Sequence, residues 1–152
     1  MLSIAKFSEL IESAPLVSID LIVKGMHGVL LGKRVNQPAK GSWFVPGGRI
    51  LKNETIAQAI ERIALKELNL KKKLSDFKFM GVFEHFYDNS FVSEATSTHY
   101  VVLAFELESE VSLMSLPASE HNDYRLFSLN DMEKSPLVHM YTKKYFNSEG
   151  VV

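Results

Sequence analysis

The chain has no cysteine among its 152 residues, which excludes a disulfide framework, a thiolate metal site and a cysteine nucleophile. Net charge is nearly absent too: 17 Lys and Arg against 18 Asp and Glu leave −1, so no global field draws the protein to nucleic acid or to an anionic membrane. Any basic residue that matters acts locally. Long apolar runs are missing. Segments such as YVVLAF, residues 100–105, fall far short of the roughly 20 residues a bilayer span needs. The N-terminal MLSIAKFSELIES interleaves charge with apolar residues and lacks a signal-peptide core. There are no repeats, low-complexity tracts or interdomain linkers. What is present is a composition of 46% apolar and 23% charged residues, ordinary for a globular enzyme. At this length it forms one domain, 1–152, able to bury roughly two-thirds of its unfolded surface. The expectation is a soluble cytoplasmic protein with neither nucleic acid nor membrane as partner.

Along the chain, Ser3 is placed to cap a first helix whose Phe7, Leu10 and Ile11 recur at helical spacing, and Pro15 marks its end. LVSIDLIVK (16–24) alternates apolar and polar positions, and Met26-His27-Gly28 turns it into VLLGKRV. The two read as paired strands. SWFVP (42–46) is a short strand, and FKFMGVFEHFYD (77–88) and THYVVLAFELE (98–108) are strands rich in β-branched and aromatic residues. DNSFVSEATS (88–97) and LPASEHND (116–123) are loops of the length that carries function. YRLFSL is a further strand, and Ser135-Pro136 opens a helix over LVHMYTKKYF. Strands interspersed with about three helices give a layered α/β domain.

The most informative stretch is PGGRILKNETIAQAIERIALKELNL, from Pro46 to Leu70. With Thr55 to Leu68 on a helix, Ile56, Ile60 and Ile63 share one stripe, and Glu67 falls on it as well. A carboxylate there faces the packing surface and lies in the last turn, where the helix dipole disfavours negative charge. A bound cation removes both costs; the plainer alternative is that Glu67 lies at the stripe's edge and reaches solvent. Glu54 complements the helix N-terminus and Asn53 is placed as its cap. Asn69 suits a left-handed helix end. Gly47 and Gly48 allow backbone angles that turn a carbonyl or amide toward a ligand, although a Gly pair alone reads as a tight turn.

In register, the Gly pair, Glu54, Arg62 and Glu67 resemble a Nudix box, the loop–helix that holds a divalent metal against a nucleoside diphosphate. Ile63 and Lys66 stand where that box has acidic residues. One box carboxylate suffices for one magnesium, which binds through one or two carboxylates plus substrate oxygens and water, but not for a multi-metal cluster. Over nearly its whole length the chain is similar to one branch, the GDP-mannose mannosyl hydrolases. The shared segments are PLVSID, LLGKR, PAKGSWFVPGGR, the box without its second glutamate, EHFYD, THYVVL and EHNDYR. The box is common to many activities; its combination with GSWFVPGGR and EHNDYR is far more specific.

The resemblance implies a Nudix fold, a mixed β-sheet sandwiched between helices (α-β-α). It also implies magnesium-dependent hydrolysis of GDP-mannose, or GDP-glucose, by water attack at the anomeric carbon with inversion. Magnesium, one per subunit with manganese as its substitute, is held by Glu67, by the Gly47 carbonyl and by the residue preceding the base. That residue is Glu120 here, where Gln is expected. His121 matches the general base, Arg34 and Arg49 the groups that neutralise the diphosphate, Tyr100 a donor to the departing phosphate, and Asp20 and His85 the sugar side. A homodimer is implied as well.

The chemistry is coherent on its own terms. A metal-bound diphosphate leaves without an acid, so only a base is needed, and an imidazole with a pKa of about 6.5 is mostly neutral at cytoplasmic pH. Each residue also has a plainer reading: Arg34 and Arg49 as surface charges, Tyr100 as strand packing, His85 as a core histidine, Asp20 as a solvent-facing strand position, His121 as an exposed turn residue. Phe7, Phe86 and Tyr87 are candidates for stacking on guanine. Two other functions compete: a conventional Nudix pyrophosphohydrolase attacking phosphorus of a nucleotide sugar, and a non-catalytic nucleotide-binding Nudix domain.

Overall fold

The computed structural model of the chain describes residues 1–117, 121–147 and 150–152, and of His121 and Asn122 the backbone alone. In chain order the elements are α1 (Ile4–Ser13), β1 (Leu16–Gly25), β2 (Gly28–Arg34), β3 (Trp43–Phe44), β4 (Gly47–Arg49), α2 (Ile56–Leu68), β5 (Lys78–Tyr87), β6 (Thr98–Glu108), β7 (His121–Phe127), α3 (Leu129–Lys134) and α4 (Met140–Asn147). The strands form one mixed sheet in the order β3-β2-β1-β6-β5, with β4 added to β1 and β7 to β2. β1 is its axis: parallel to β6 from Leu16↔Tyr100 to Lys24↔Glu108, antiparallel to β2 at one end and to β4 at the other.

Both faces of β1 are covered, and it is buried continuously from Ser18 to Val23. That corrects the half-exposed strand expected from its alternation, because a strand packed on both sides has no solvent face. Ile19, Leu21 and Val23 pack with Ala59, Ile60, Ile63, Ala64 and Leu68 of α2. Ile22 packs on the opposite face with Trp43, Phe44, Val102 and Tyr145. The strand period of two puts Ser18 and Asp20 on this second face.

α1 runs as expected, with the Ser3 hydroxyl accepting from Lys6 N. α2 is capped by Thr55, not Asn53: Thr55 and Gln58 form a reciprocal capping box, while Asn53 takes φ +69° in the preceding turn. Ile56 is 42% exposed, so the buried stripe begins at Ala59, once the helix has reached the sheet. Asn69 ends α2 in the left-handed conformation, φ 54°.

The C-terminal region differs from expectation. Ser128 caps a separate α3, Ser135 closes it, and the helix expected from Pro136 starts at Met140. Residues 137–139 instead bond to Trp43, whose N–H donates to Leu137 O and whose carbonyl accepts from His139 N. This pairing holds Val138 in a parallel bridge to Trp43 and delays the helix. α4 then docks on the outer edge of β5. The Tyr141 hydroxyl accepts from Phe86 N and donates to Phe86 O, both at 3.0 Å. Val151 and Val152 bond to Val82 on the same strand. Edge groups that would otherwise template association are thereby occupied.

Candidate functional site

β4 joins the sheet through two glycines, the first of which leaves no room for a side chain and the second little. A Cβ at Gly47 would lie 2.5 Å from Asp20 Oδ1 and 2.5 Å from Ile19 O, and one at Gly48 would lie 3.1 Å from Ile63 Cγ1. The bonds Leu21 N–H to Pro46 O and Ile50 N–H to Val17 O flank the pairs Asp20↔Gly47 and Ser18↔Arg49. In an antiparallel ladder those pairs are therefore non-hydrogen-bonded. The Gly47 and Arg49 carbonyls both leave β4 on the edge away from β1, and the Arg49 carbonyl accepts from Arg62 Nη2 at 2.8 Å.

Arg62 also grips Glu54, Nε to Oε2 at 2.7 Å and Nη2 to Oε1 at 2.9 Å, while Leu51 N donates to Oε1 at 3.0 Å. The hydrogen bond from Arg62 holds the Glu54 carboxyl below its usual range, against desolvation. The pair is a fork–fork clamp fixing the loop to the helix. Glu67, one turn after Ile63, is only 2% exposed. The solvent-reaching alternative for it is thereby overturned.

Among the described residues no three His, Cys, Asp or Glu side chains come together as a metal-holding group. The donors that remain nevertheless suit a hard cation. Glu67 is a buried carboxylate at a helix C-terminus, and the Gly47 carbonyl faces away from its own ladder. An ion bound so would complete its shell with substrate oxygens and water, as magnesium does. Glu120 lies outside the described residues.

On the other face of β1 a second constellation assembles. Asp20 Oδ2 accepts from the Tyr145 hydroxyl, which also lies 3.4 Å from His85 Nε2. The His85 ring stacks on Tyr141 with centroids 4.2 Å apart. Tyr141 stacks in turn on His139 at 5.0 Å, and Tyr87 stands edge-on to both Tyr141 and Tyr100. Desolvation pushes Asp20 up to about 7, opposed by the Tyr145 hydrogen bond and the charge of Arg34. Burial pushes His85 down to about 3, aided by His139 and Lys144, so the ring is neutral. Burial also raises the Tyr87 and Tyr145 hydroxyls and lowers His139, the latter helped by Arg34.

Arg34 ends β2, its Nε donating to Pro38 O at 2.8 Å, and its charge acts on Asp20, Tyr87 and His139. After a register shift beyond Gly32, its backbone pairs with that of His121 at the start of β7. The His121 side chain lies outside what is described. Arg49 places its guanidinium 5.3 Å over the Phe7 ring, which engages one of the guanine-stacking candidates. Phe86 stacks on His99 at 4.4 Å, and Tyr87 belongs to the aromatic cluster.

The fold therefore brings Asp20, His85, Arg34 and Tyr100 to one side of the sheet and Glu67 to the other, with β4 between them. The solvent-facing reading of Asp20 is overturned: it is 8% exposed. Sequence reasoning missed Tyr145, Tyr141 and His139. The i, i+4 spacing of Tyr141 and Tyr145 was the available signal, but it is equally that of ordinary core packing.

Comparison with known proteins agrees with this fold. The NUDIX domain model matches residues 14–146. The low-salt glycan biosynthesis protein Agl8 of Haloferax volcanii is 36% identical over 145 residues, covering 94% of this chain and 87% of that protein. The structure of a MutT protein from Methanosarcina mazei Go1 superposes with a TM-score of 0.69 at 17% identity, over 89% of this chain and 93% of that one. A bifunctional NMN adenylyltransferase/ADP ribose pyrophosphatase of Francisella tularensis, solved with AMP and a manganese ion, matches with a TM-score of 0.54 at 25% identity, over 85% of this chain and 38% of that one. With the family matched from residue 14 to residue 146 and the Gly-pair loop clamped to its helix by Glu54 and Arg62, the chain belongs to the Nudix hydrolase family.

Proposed function

We propose that the chain hydrolyses a GDP-sugar, GDP-mannose foremost and GDP-glucose beside it, to GDP and the free sugar, by attack of water on the anomeric carbon with inversion. The observation that carries this reading is Ile63. It stands where a Nudix box has a carboxylate, and it is 1% exposed and packed in the α2 core. That position offers neither a metal ligand nor a base for water aimed at phosphorus. The glycan-biosynthesis name of the relative from Haloferax volcanii supports a sugar nucleotide as substrate.

In the reaction, water forms the new carbon–oxygen bond as the bond from the anomeric carbon to the β-phosphate oxygen breaks. His121 accepts the water proton, and GDP leaves with the electron pair. Arg34, whose backbone pairs with that of His121, and Arg49 stabilise the diphosphate charge through planar donors, and Tyr100 donates to it. A divalent ion held by Glu67, the Gly47 carbonyl and Glu120 supplies further charge neutralisation there. Asp20 and His85 line the sugar side.

Turnover in ¹⁸O-water tests the reading. It expects label in mannose and none in phosphate; GMP with mannose 1-phosphate would identify a pyrophosphohydrolase, and binding without turnover a nucleotide-binding domain. His121→Gln is expected to lower kcat by roughly 10²–10⁴-fold, and near-normal turnover removes His121 from the role.

A further inference from the structure

We infer that Tyr145 is a positioning residue whose hydroxyl, inserted between Asp20 and His85, dictates which nitrogen of the His85 ring carries hydrogen. Tyr145 is 4% exposed, whereas Arg34, Tyr87 and Tyr100 are half-buried, so it acts on the site through its two neighbours. A phenol has one proton to give. Here it goes to Asp20 Oδ2, the stronger acceptor when the carboxylate is ionised. Toward His85 Nε2, 3.4 Å away, the tyrosine oxygen then offers only lone pairs. The contact is attractive only if Nε2 carries the hydrogen, which leaves Nδ1 as the ring's acceptor.

The surroundings keep this arrangement rigid. His85 is clamped face to face against Tyr141 at 4.2 Å with planes 11° apart, and the Tyr141 hydroxyl is tied to both backbone groups of Phe86. The ring therefore cannot turn to exchange its nitrogens without breaking the contact between α4 and β5. Phe83 stands edge-on to the Tyr145 ring at 4.7 Å, fixing the direction of its hydroxyl. Residues from β1, β5 and α4 thus converge to give one histidine one hydrogen-bonding polarity. On the sugar-hydrolase reading, on which the kinetic part of this proposal rests, His85 presents an acceptor on the sugar side of the site.

The tautomer is read in the full chain by two-bond ¹H–¹⁵N NMR of the imidazoles at pH 8.5, with the His85 signal assigned from its loss in His85→Gln. The wild type is expected to show the Nε2–H form alone, and Tyr145→Phe to show a mixture or the Nδ1–H form. An Nδ1–H ring in the wild type overturns the inference, as does an unchanged tautomer in Tyr145→Phe. An Nδ1–H wild-type spectrum overturns the inference even where the variant does not fold, and the measurement needs no substrate, so failure of the GDP-sugar reading leaves it intact. In turnover of GDP-mannose, Tyr145→Phe is expected to lower kcat by roughly ten- to a hundredfold, as losses of outer-shell partners do, with KM within about twofold. An unchanged kcat overturns the functional half.

Discussion

Gly47 and Asp20 sit opposite each other across the β4–β1 ladder, so close that a Cβ on Gly47 would lie 2.5 Å from the Asp20 carboxyl oxygen. The glycine is there because a buried carboxyl occupies the volume a side chain would need. It also brings the carbonyl proposed to hold a metal next to the residue proposed to face the sugar.

Gly47→Ala forces either Asp20 or β4 to move, and the second obstacle, Ile19 O at 2.5 Å, is backbone and cannot swing aside. The variant is expected to lose about 1–3 kcal/mol, the usual range for overpacking. Urea denaturation measures it, and stability equal to wild type would show that β4 does not hold this register in solution.

Asp20 and His85 are expected to drive stability in opposite directions with pH. The folded value for Asp20, about 7, lies above its ordinary 3.8. The folded chain holds that proton more tightly, so stability falls as pH rises from about 4 to 7. The folded value for His85, about 3, lies below its ordinary 6.5. There the unfolded chain binds the proton more tightly, so stability grows as pH rises through about 3 to 6.5. Across the overlap the two slopes oppose. Denaturation curves of Asp20→Asn between pH 4 and 6.5 should show stability climbing, and those of His85→Gln should show it falling; slopes of the same sign in both variants refute the assignment.

Glu67→Gln keeps the shape of the last turn of α2 and removes its negative charge. The magnesium concentration for half-maximal turnover should rise at least as far as the roughly ten- to hundredfold seen when even outer-shell partners are lost. Titration of activity with magnesium reads this, and an unaltered requirement means the ion is bound elsewhere.

Asn69 ends α2 at φ 54°, where a residue with a Cβ and no local polar compensation is strained. Asn69→Ala should cost about 1 kcal/mol, and Asn69→Gly should stay within a few tenths of a kcal/mol. Thermal unfolding of the two variants separates them; equal midpoints would show that the cap contributes nothing.

The parts of the fold readable in the chain are those whose partners lie within a turn or two. Ser3 capping α1 and the left-handed Asn69 follow from local position alone, whereas Glu54 and Arg62, eight residues apart with Glu54 outside α2, are picked out by the resemblance to the Nudix box. Even there the competition was close: Asn53 and Thr55 are both good caps, and the reciprocal bond from Gln58 selects Thr55. The C-terminal helix could not be bounded, because its start depends on Trp43 capturing residues 137–139 from far along the chain.

By itself, then, the sequence determined the loop–helix that carries Glu54, Arg62 and Glu67 in register, because a run of consecutive residues carries that geometry wherever the fold places it. Only the tertiary structure decided that Asp20 is buried, that Tyr145 joins it across 125 positions, and that Glu67 and Asp20 lie on opposite faces of one sheet. Those outcomes depend on strand register and on where α4 docks. Both are set by the sum of many distant contacts, and no local pattern of residues encodes them.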